Sequence, residues 1–455
     1  MDNKHKNVTS YIQKLENNLK SKGYPLYDEI LTSKKDFDIS QFKPINFNDL
    51  SKILDITIKE DKNNKIIVFL CALSIYTDNS QYNIIFNAPS STGKSFIPIE
   101  IAKLFPEEDI MEIGYCSPTS FFHDFGEWDD IKKISTINLS GKLIIFLDQP
   151  HNTLLERLRP ILSHDKKEIN IKITDKSDKK GLRTKNIMII GFPAVIFCTA
   201  GLNVDEQEST RMFLLSPEIT QDKLQQTIHN RILKETDYIL YTENLGKNKD
   251  REILKKRVCT IKNEGIKDIK IVNSEYVESL FLSDKAILKP RHQRDINRFL
   301  ALIKMSALLN VWYRERQGDI IVATKEDIDN AYEIWKDLSK TQEYNIPPYV
   351  YNFFEEVIRP LYLEKNESTD EYIGLSKQEI LKHARKLGKN IGDWKFRTQI
   401  MPALDTAGLV IEEEDHNDKR KKLYYPQIYS EHRVGVNNKS DENVSELEKN
   451  IKEFF

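Results

Sequence analysis

The eight residues Ala88-Pro-Ser-Ser-Thr-Gly-Lys-Ser95 constrain this chain more than any other stretch. They follow the apolar run Tyr82 to Phe86 and precede a helical pattern. A strand, a Gly-Lys-Ser loop and a helix in that order aim backbone N–H groups and a helix N-terminus at one point, which is how protein binds phosphate. Ala88, Pro89, Ser90, Ser91, Thr92 and Gly93 are read as the cradle. Lys94 would reach the β- and γ-phosphates of ATP, and Ser95 would ligate Mg²⁺. Ala88 stands where the usual pattern has glycine, which asks for a negative φ there.

Similar apolar runs recur at Leu143 to Leu147 and at Ala194 to Cys198. The first ends in Asp148, 54 residues after Lys94, where a carboxylate behind such a loop holds Mg²⁺ through its water shell. Gln149 follows, where many such ATPases carry a glutamate that activates the attacking water. A glutamine orients water but cannot take its proton. Glu156 is a substitute base, set against the reading of a solvated glutamate on a helix surface. Thr199 closes the third run as a hydroxyl able to sense the γ-phosphate. Arg211, just before another apolar stretch, suits an arginine that stabilises transition-state charge in a neighbouring subunit. Lys289-Pro-Arg291-His-Gln-Arg294-Asp-Ile-Asn-Arg298 opens a long apolar helix. Arginines in its first turns run against the helix dipole, a conflict that a nucleotide phosphate would offset. Arg294 is the best single candidate for that contact, with a salt bridge to Asp295 as the competing reading.

Apolar strands separated by helical patterns imply an α/β fold with a parallel sheet and ligand loops at the carboxyl ends of the strands. Between Lys167 and Gly191 the pattern alternates and reads as a β-hairpin with a basic tip. Residues 217–345 are mainly helical, and Ile346-Pro-Pro348 marks a boundary. Beyond it come helices at Tyr349 to Leu363, Ser376 to Leu387 and Asp393 to Ala407. Strands at Leu409 to Ile411 and Leu423 to Tyr425 then complete a winged helix. The chain thus divides into a helical lead-in (1–47), an α/β core (48–216), a helical region (217–345), the winged helix (346–430) and a polar tail (431–455). A chain of 455 residues with 39% apolar content is long enough for two or three such cores.

Lysine plus arginine (68) nearly balance aspartate plus glutamate (70), so any nucleic-acid site must be a local basic patch. The four cysteines show no metal-ligand or disulfide spacing. The longest apolar run, Ile187 to Ala200, carries Gly191 and Pro193 and is too short to span a membrane. We expect no signal peptide, no membrane contact and a reducing cytoplasm.

This set of motifs resembles the AAA+ ATPases, and within them the minichromosome-maintenance-like helicases of mobile elements and archaea. The likeness covers about residues 50 to 430. Its telling parts are Leu154-Leu-Glu-Arg-Leu-Arg-Pro-Ile-Leu-Ser-His-Asp165, the hairpin before Thr199, Glu208-Ser-Thr-Arg211, and Arg294-Asp with Leu302-Ile-Lys304. The resemblance implies a helical lid after the core and a hexamer whose hairpins point into a central pore and grip DNA. It nominates Lys179 and Lys180, with Lys176 and Arg183 beside them; charges there would hold single strands without reading sequence. The winged helix would set Lys395 and Arg397 in a duplex groove and Arg420 of the wing on phosphates, or serve only as a protein contact. Relative to cellular helicases of this type, we expect no oligonucleotide-binding domain and no zinc module. The ending Glu448-Lys-Asn-Ile451-Lys-Glu-Phe454-Phe455 resembles a sliding-clamp-binding peptide through Ile451, Phe454 and Phe455.

The function implied is a hexameric ATP-dependent DNA helicase or translocase in replication of a mobile or extrachromosomal element. An ATP-switched DNA-binding initiator or regulator is the alternative. A protein remodeller would instead need an aromatic pore loop, for which Tyr115 to Phe125 offers Phe121 and Phe122.

Overall fold

The computed structural model describes residues 39–427, apart from 125, 132–133, 176–182, 201–210, 284, 286–287, 368–372 and 416–417. Five strands, each three to six residues long, form an all-parallel sheet: β1 (Ile84–Asn87), β2 (Ile110–Ile113), β5 (Leu143–Phe146), β8 (Ala194–Thr199) and β9 (Phe213–Leu215). Their order is β2-β5-β8-β1-β9. The strands read as continuous apolar runs because both faces are covered. Ile84, Phe86, Leu143, Ile145, Ile196 and Phe213 point into one cluster with the helices Lys62–Leu73 and His292–Leu309. Their neighbours Ile85, Ile144, Phe146, Val195, Phe197 and Leu214 point the other way, onto the helix Asn152–Leu162 and a second sheet.

That second sheet has the order β3-β4-β7-β6, from β3 (Glu127–Asp129), β4 (Ile134–Asn138), β6 (Glu168–Asp175) and β7 (Arg183–Ile190). β6 and β7 form the antiparallel hairpin, paired from Glu168 with Ile190 to Asp175 with Arg183. Ile173, Ile187 and Ile189 turn inward, which fixes the register because a one-residue slip would expose them. A bent pair β3–β4 joins β7 in parallel, an addition the sequence pattern did not announce.

After β9 come the helices Gln221–Thr236, Tyr238–Lys247 and Lys249–Glu264. A small sheet of β10 (Asp268–Ile271), β11 (Arg316–Gln317) and β12 (Ile320–Ala323) follows, together with the helices Ser274–Leu282, His292–Leu309 and Lys325–Tyr344.

The segment from Ile346 to Tyr424 has its own core. It runs through one helix over 348–366, β13 (Leu375–Ser376), the helix Lys377–Lys386, another helix over 393–406, and the pair β14 (Val410–Asp415) and β15 (Asp418–Pro426). Each of the two longer helices widens to a π turn just before a proline. Arg359 N–H reaches Phe354 O ahead of Pro360, and Met401 N–H reaches Phe396 O ahead of Pro402. Widening relieves the clash between a proline ring and the carbonyl one turn back.

Candidate functional site

In the sheet order β8 lies between β1 and β5, so the loops after all three leave the same edge. The register pairs Asn87 with Thr199 and Phe146 with Phe197. The loop at Ala88–Ser95, the acid Asp148 and the hydroxyl of Thr199 therefore converge.

The loop is built for close approach by a ligand. Ala88 N–H donates to Thr199 O (3.2 Å), and Ala88 has no positive φ, so the missing glycine costs nothing there. Positive φ falls instead on Ser91 (66°) and Gly93 (91°). A Cβ built on Gly93 would meet nothing within 4 Å, so the space above it is open. Phe96 and Ile97 N–H donate back to Gly93 O (3.1 and 3.4 Å), which starts the helix Phe96–Ala102 inside the loop.

Among the described residues the Lys94 ammonium has no hydrogen bond or ion pair. Its carbonyl accepts from the Cys198 thiol at 3.5 Å. Burial pushes that thiol up to about 12, with the Lys94 charge pulling it down and the Asp148 charge pushing it up. Both charges thus act on one spot at the end of β8. Asp148 and Gln149 are exposed. Thr199, 3% exposed, donates to Gln149 Oε1 at 2.9 Å, and Gln149 N–H donates to Asp148 Oδ1 at 2.8 Å. The side chains at 148, 149 and 199 form one linked row beside the loop. Glu156 lies on the exposed face of its helix.

Arg211 and Arg294 are elsewhere. Arg211 precedes β9, whose N-terminal end pairs with that of β1, so the loop after β1 is roughly 15 Å of strand away. Both arginines line a cavity of about 310 Å³ with Asn83, His164 and Arg298. Arg211 donates to Ser163 Oγ at 2.8 Å. Asp295 pairs with Arg291 and Arg298, each at 3.2 Å. His164 adopts a left-handed backbone (φ 58°), packs edge-on against Phe192 at 4.5 Å, and is held down at about 4 by burial.

The DNA-contact candidates divide. Lys176, Lys179 and Lys180, like Ile451, Phe454 and Phe455, lie outside the described residues; Arg183 begins β7 at the base of that hairpin tip. Lys395 folds back over the Tyr349 ring at 5.0 Å, and burial lowers its pKa. Arg397 pairs with Asp393 at 2.9 Å, while Trp394 between them is exposed. Arg420 pairs with Asp418 at 3.1 Å, Lys421 with Asp418 at 3.5 Å, and Lys422, opposite Glu414 in the hairpin register, pairs with Glu412. Arg420, Lys421 and Lys422 thus each have an acidic partner within the hairpin. Phe121 and Phe122 are fully buried in the core around β5, which removes them as pore-loop aromatics.

No protein-family model matches the sequence, and no curated protein matches it significantly. Sequence reasoning missed Asn83 and His164. Asn83 is buried ahead of β1; its side chain donates to Leu162 O (2.9 Å) and accepts from Val195 N–H (2.9 Å), and its carbonyl accepts from Phe213 N–H (2.8 Å). A lone polar residue opening an apolar strand was the available signal.

Among the described residues there is no cluster of three metal-ligating side chains and no helix long and apolar enough to cross a membrane.

Proposed function

We propose that the chain is an ATPase of the AAA+ type, working as a ring that moves along DNA, in the manner of minichromosome-maintenance-like helicases. The observation that carries the reading is the convergence of the loop 88–95, Asp148, Gln149 and Thr199 at one edge of a parallel sheet. The open space over Gly93, the unengaged Lys94 ammonium and the exposed Asp148 carboxylate fit ATP with Mg²⁺. Ser95 would ligate Mg²⁺ directly and Asp148 would hold it through its water shell. The ion held there would neutralise phosphate charge. Lys94 holds the β- and γ-phosphates, and Thr199 fixes the rotation of the Gln149 amide that orients the attacking water.

The cavity with Arg211 and Arg294 lies at the far end of the strands, which favours action of both arginines on the nucleotide of a neighbouring subunit. Helices and hairpin over 348–426 have the element order of a winged helix, and β6–β7 is the antiparallel pair that a pore hairpin needs. One observation favours an ATP-switched DNA-binding initiator instead: Gln149 occupies the position of the base and its Oε1 is engaged by Thr199.

ATP hydrolysis by the intact chain, with and without single-stranded DNA, tests the reading. The wild type should turn over and be stimulated by DNA, Lys94→Ala should lose at least about 100-fold, and Lys179→Ala/Lys180→Ala should lose the stimulation. DNA-independent, negligible turnover in the wild type, with ATP still bound, would replace the motor by the switch.

A further inference from the structure

The two helices after β9 are almost unpacked. Gln221–Thr236 buries only Lys223, and Tyr238–Lys247 buries nothing. Yet Ile219, Leu224, Ile228, Ile232, Leu233, Tyr238, Ile239 and Leu240 are 40% to 71% exposed. Leu224, Ile228 and Ile232 recur at helical spacing and form a stripe along one face. Together the eight side chains leave on the order of 700 Å² of apolar surface, about what one partner buries in a stable protein interface and more than monomers ordinarily show.

Both feet of this arm stand beside the elements that flank the loop 88–95. Ser216 Oγ donates to Asn87 O at 2.6 Å, one residue before the loop, and Lys223 pairs with the buried Asp61, which also accepts from Glu218 N–H at 2.7 Å. On the return, Tyr241 and Arg251 lie within electrostatic reach of Glu100 in the helix that follows the loop. The arm is therefore fixed to the nucleotide edge.

At the arginine end the chain carries the complementary shape. A cleft of about 950 Å³ is lined by Val277, Phe281, Leu288, Ile296 and Leu300. It opens on the helix His292–Leu309, whose other side bears Arg294, Asn297 and Arg298 of the arginine cavity. If the arginine cavity of one subunit meets the loop of the next, as in the function proposed above, the same juxtaposition brings the arm of one toward the cleft of the other.

We propose that the arm over 221–247 docks into the cleft between the helices Ser274–Leu282 and His292–Leu309 of a second copy of this chain. A protruding element and a recess at opposite ends make a heterologous, head-to-tail contact, the kind that closes rings. The inference rests on the ring reading, and its test separates the two.

Intact protein is examined by sedimentation with a slowly hydrolysed ATP analogue, alongside binding of a fluorescent ATP analogue. Wild type should assemble; Ile228→Glu/Ile232→Glu should remain monomeric at tenfold higher concentration while binding nucleotide within twofold of wild type. Unchanged assembly of that variant would overturn the proposal. Loss of nucleotide binding in the wild type would instead sink the ATPase reading. Mixing Ile232→Cys with Leu288→Cys under mild oxidation should give a crosslink between the two different chains. A crosslink of Ile232→Cys with itself, or protection of that thiol from maleimide in the monomer until residues 1–38 are removed, would show another occupant and overturn the assignment.

Discussion

At the residue scale the site is defined by how three side chains at strand ends restrain one another. Gln149 accepts from Thr199 and its own N–H donates to Asp148, so its amide is oriented without being a base. Gln149→Glu keeps an acceptor for Thr199 and adds a proton acceptor; turnover should rise by about 100-fold, the low end of the range of general-base catalysis. A fall in the single-turnover rate would instead assign the work to the amide N–H donors. His164 makes a separate, pH-dependent contribution. Burial holds its imidazole at about 4 against an ordinary 6.5, so the folded chain binds fewer protons than the unfolded chain between those values. Stability therefore falls as pH drops from 6.5 toward 4, by on the order of 2 kcal/mol. Asparagine tolerates the left-handed backbone at this position. His164→Asn should flatten the dependence of unfolding free energy on pH across that window, as measured by denaturant titration at several pH values.

At the element scale, the attachment of the exposed arm depends on a buried ion pair. Asp61, fully buried, accepts from Lys223 Nζ, Asn64 Nδ2 and Glu218 N–H. Asp61→Ala leaves the Lys223 charge buried without its partner and should cost about 3 to 5 kcal/mol. Proteolysis within 221–247 should accelerate in that variant before the core unfolds; equal cleavage rates would contradict the anchoring role. The central strands were legible in the sequence because burial on both faces makes them apolar without interruption, as at Leu143–Phe146 and Ala194–Thr199. The hairpin β6–β7 was legible through alternation, its inward isoleucines being two residues apart. The pair β3–β4 was not, since Glu127–Asp129 is three polar or half-exposed residues long. Nor was the pairing of the basic run: Lys419–Lys422 reads as free positive charge until the fold sets Asp418 beside Arg420 and Lys421, and Glu412 beside Lys422. The loop and its acid could be named from spacing alone, but the arginine cavity joins residues separated by 83 positions and needs the fold.

At the scale of the whole molecule, one sheet separates two functional ends. The loop, Asp148 and Thr199 leave its C-terminal edge, while Arg211 and Arg294 sit beyond its N-terminal edge. Roughly 15 Å of strand separates them within one chain, so in the proposed ring a neighbouring copy would complete each site. Lys94→Ala and Arg211→Ala should each be inactive alone. The most direct measurement is ATP hydrolysis by a mixture of the two in equal amounts. The account predicts recovery to about one quarter of the wild-type rate, because a quarter of randomly formed interfaces pair an intact loop with an intact arginine. A mixture as inactive as its components, although both variants assemble with wild type, would contradict a site shared between subunits.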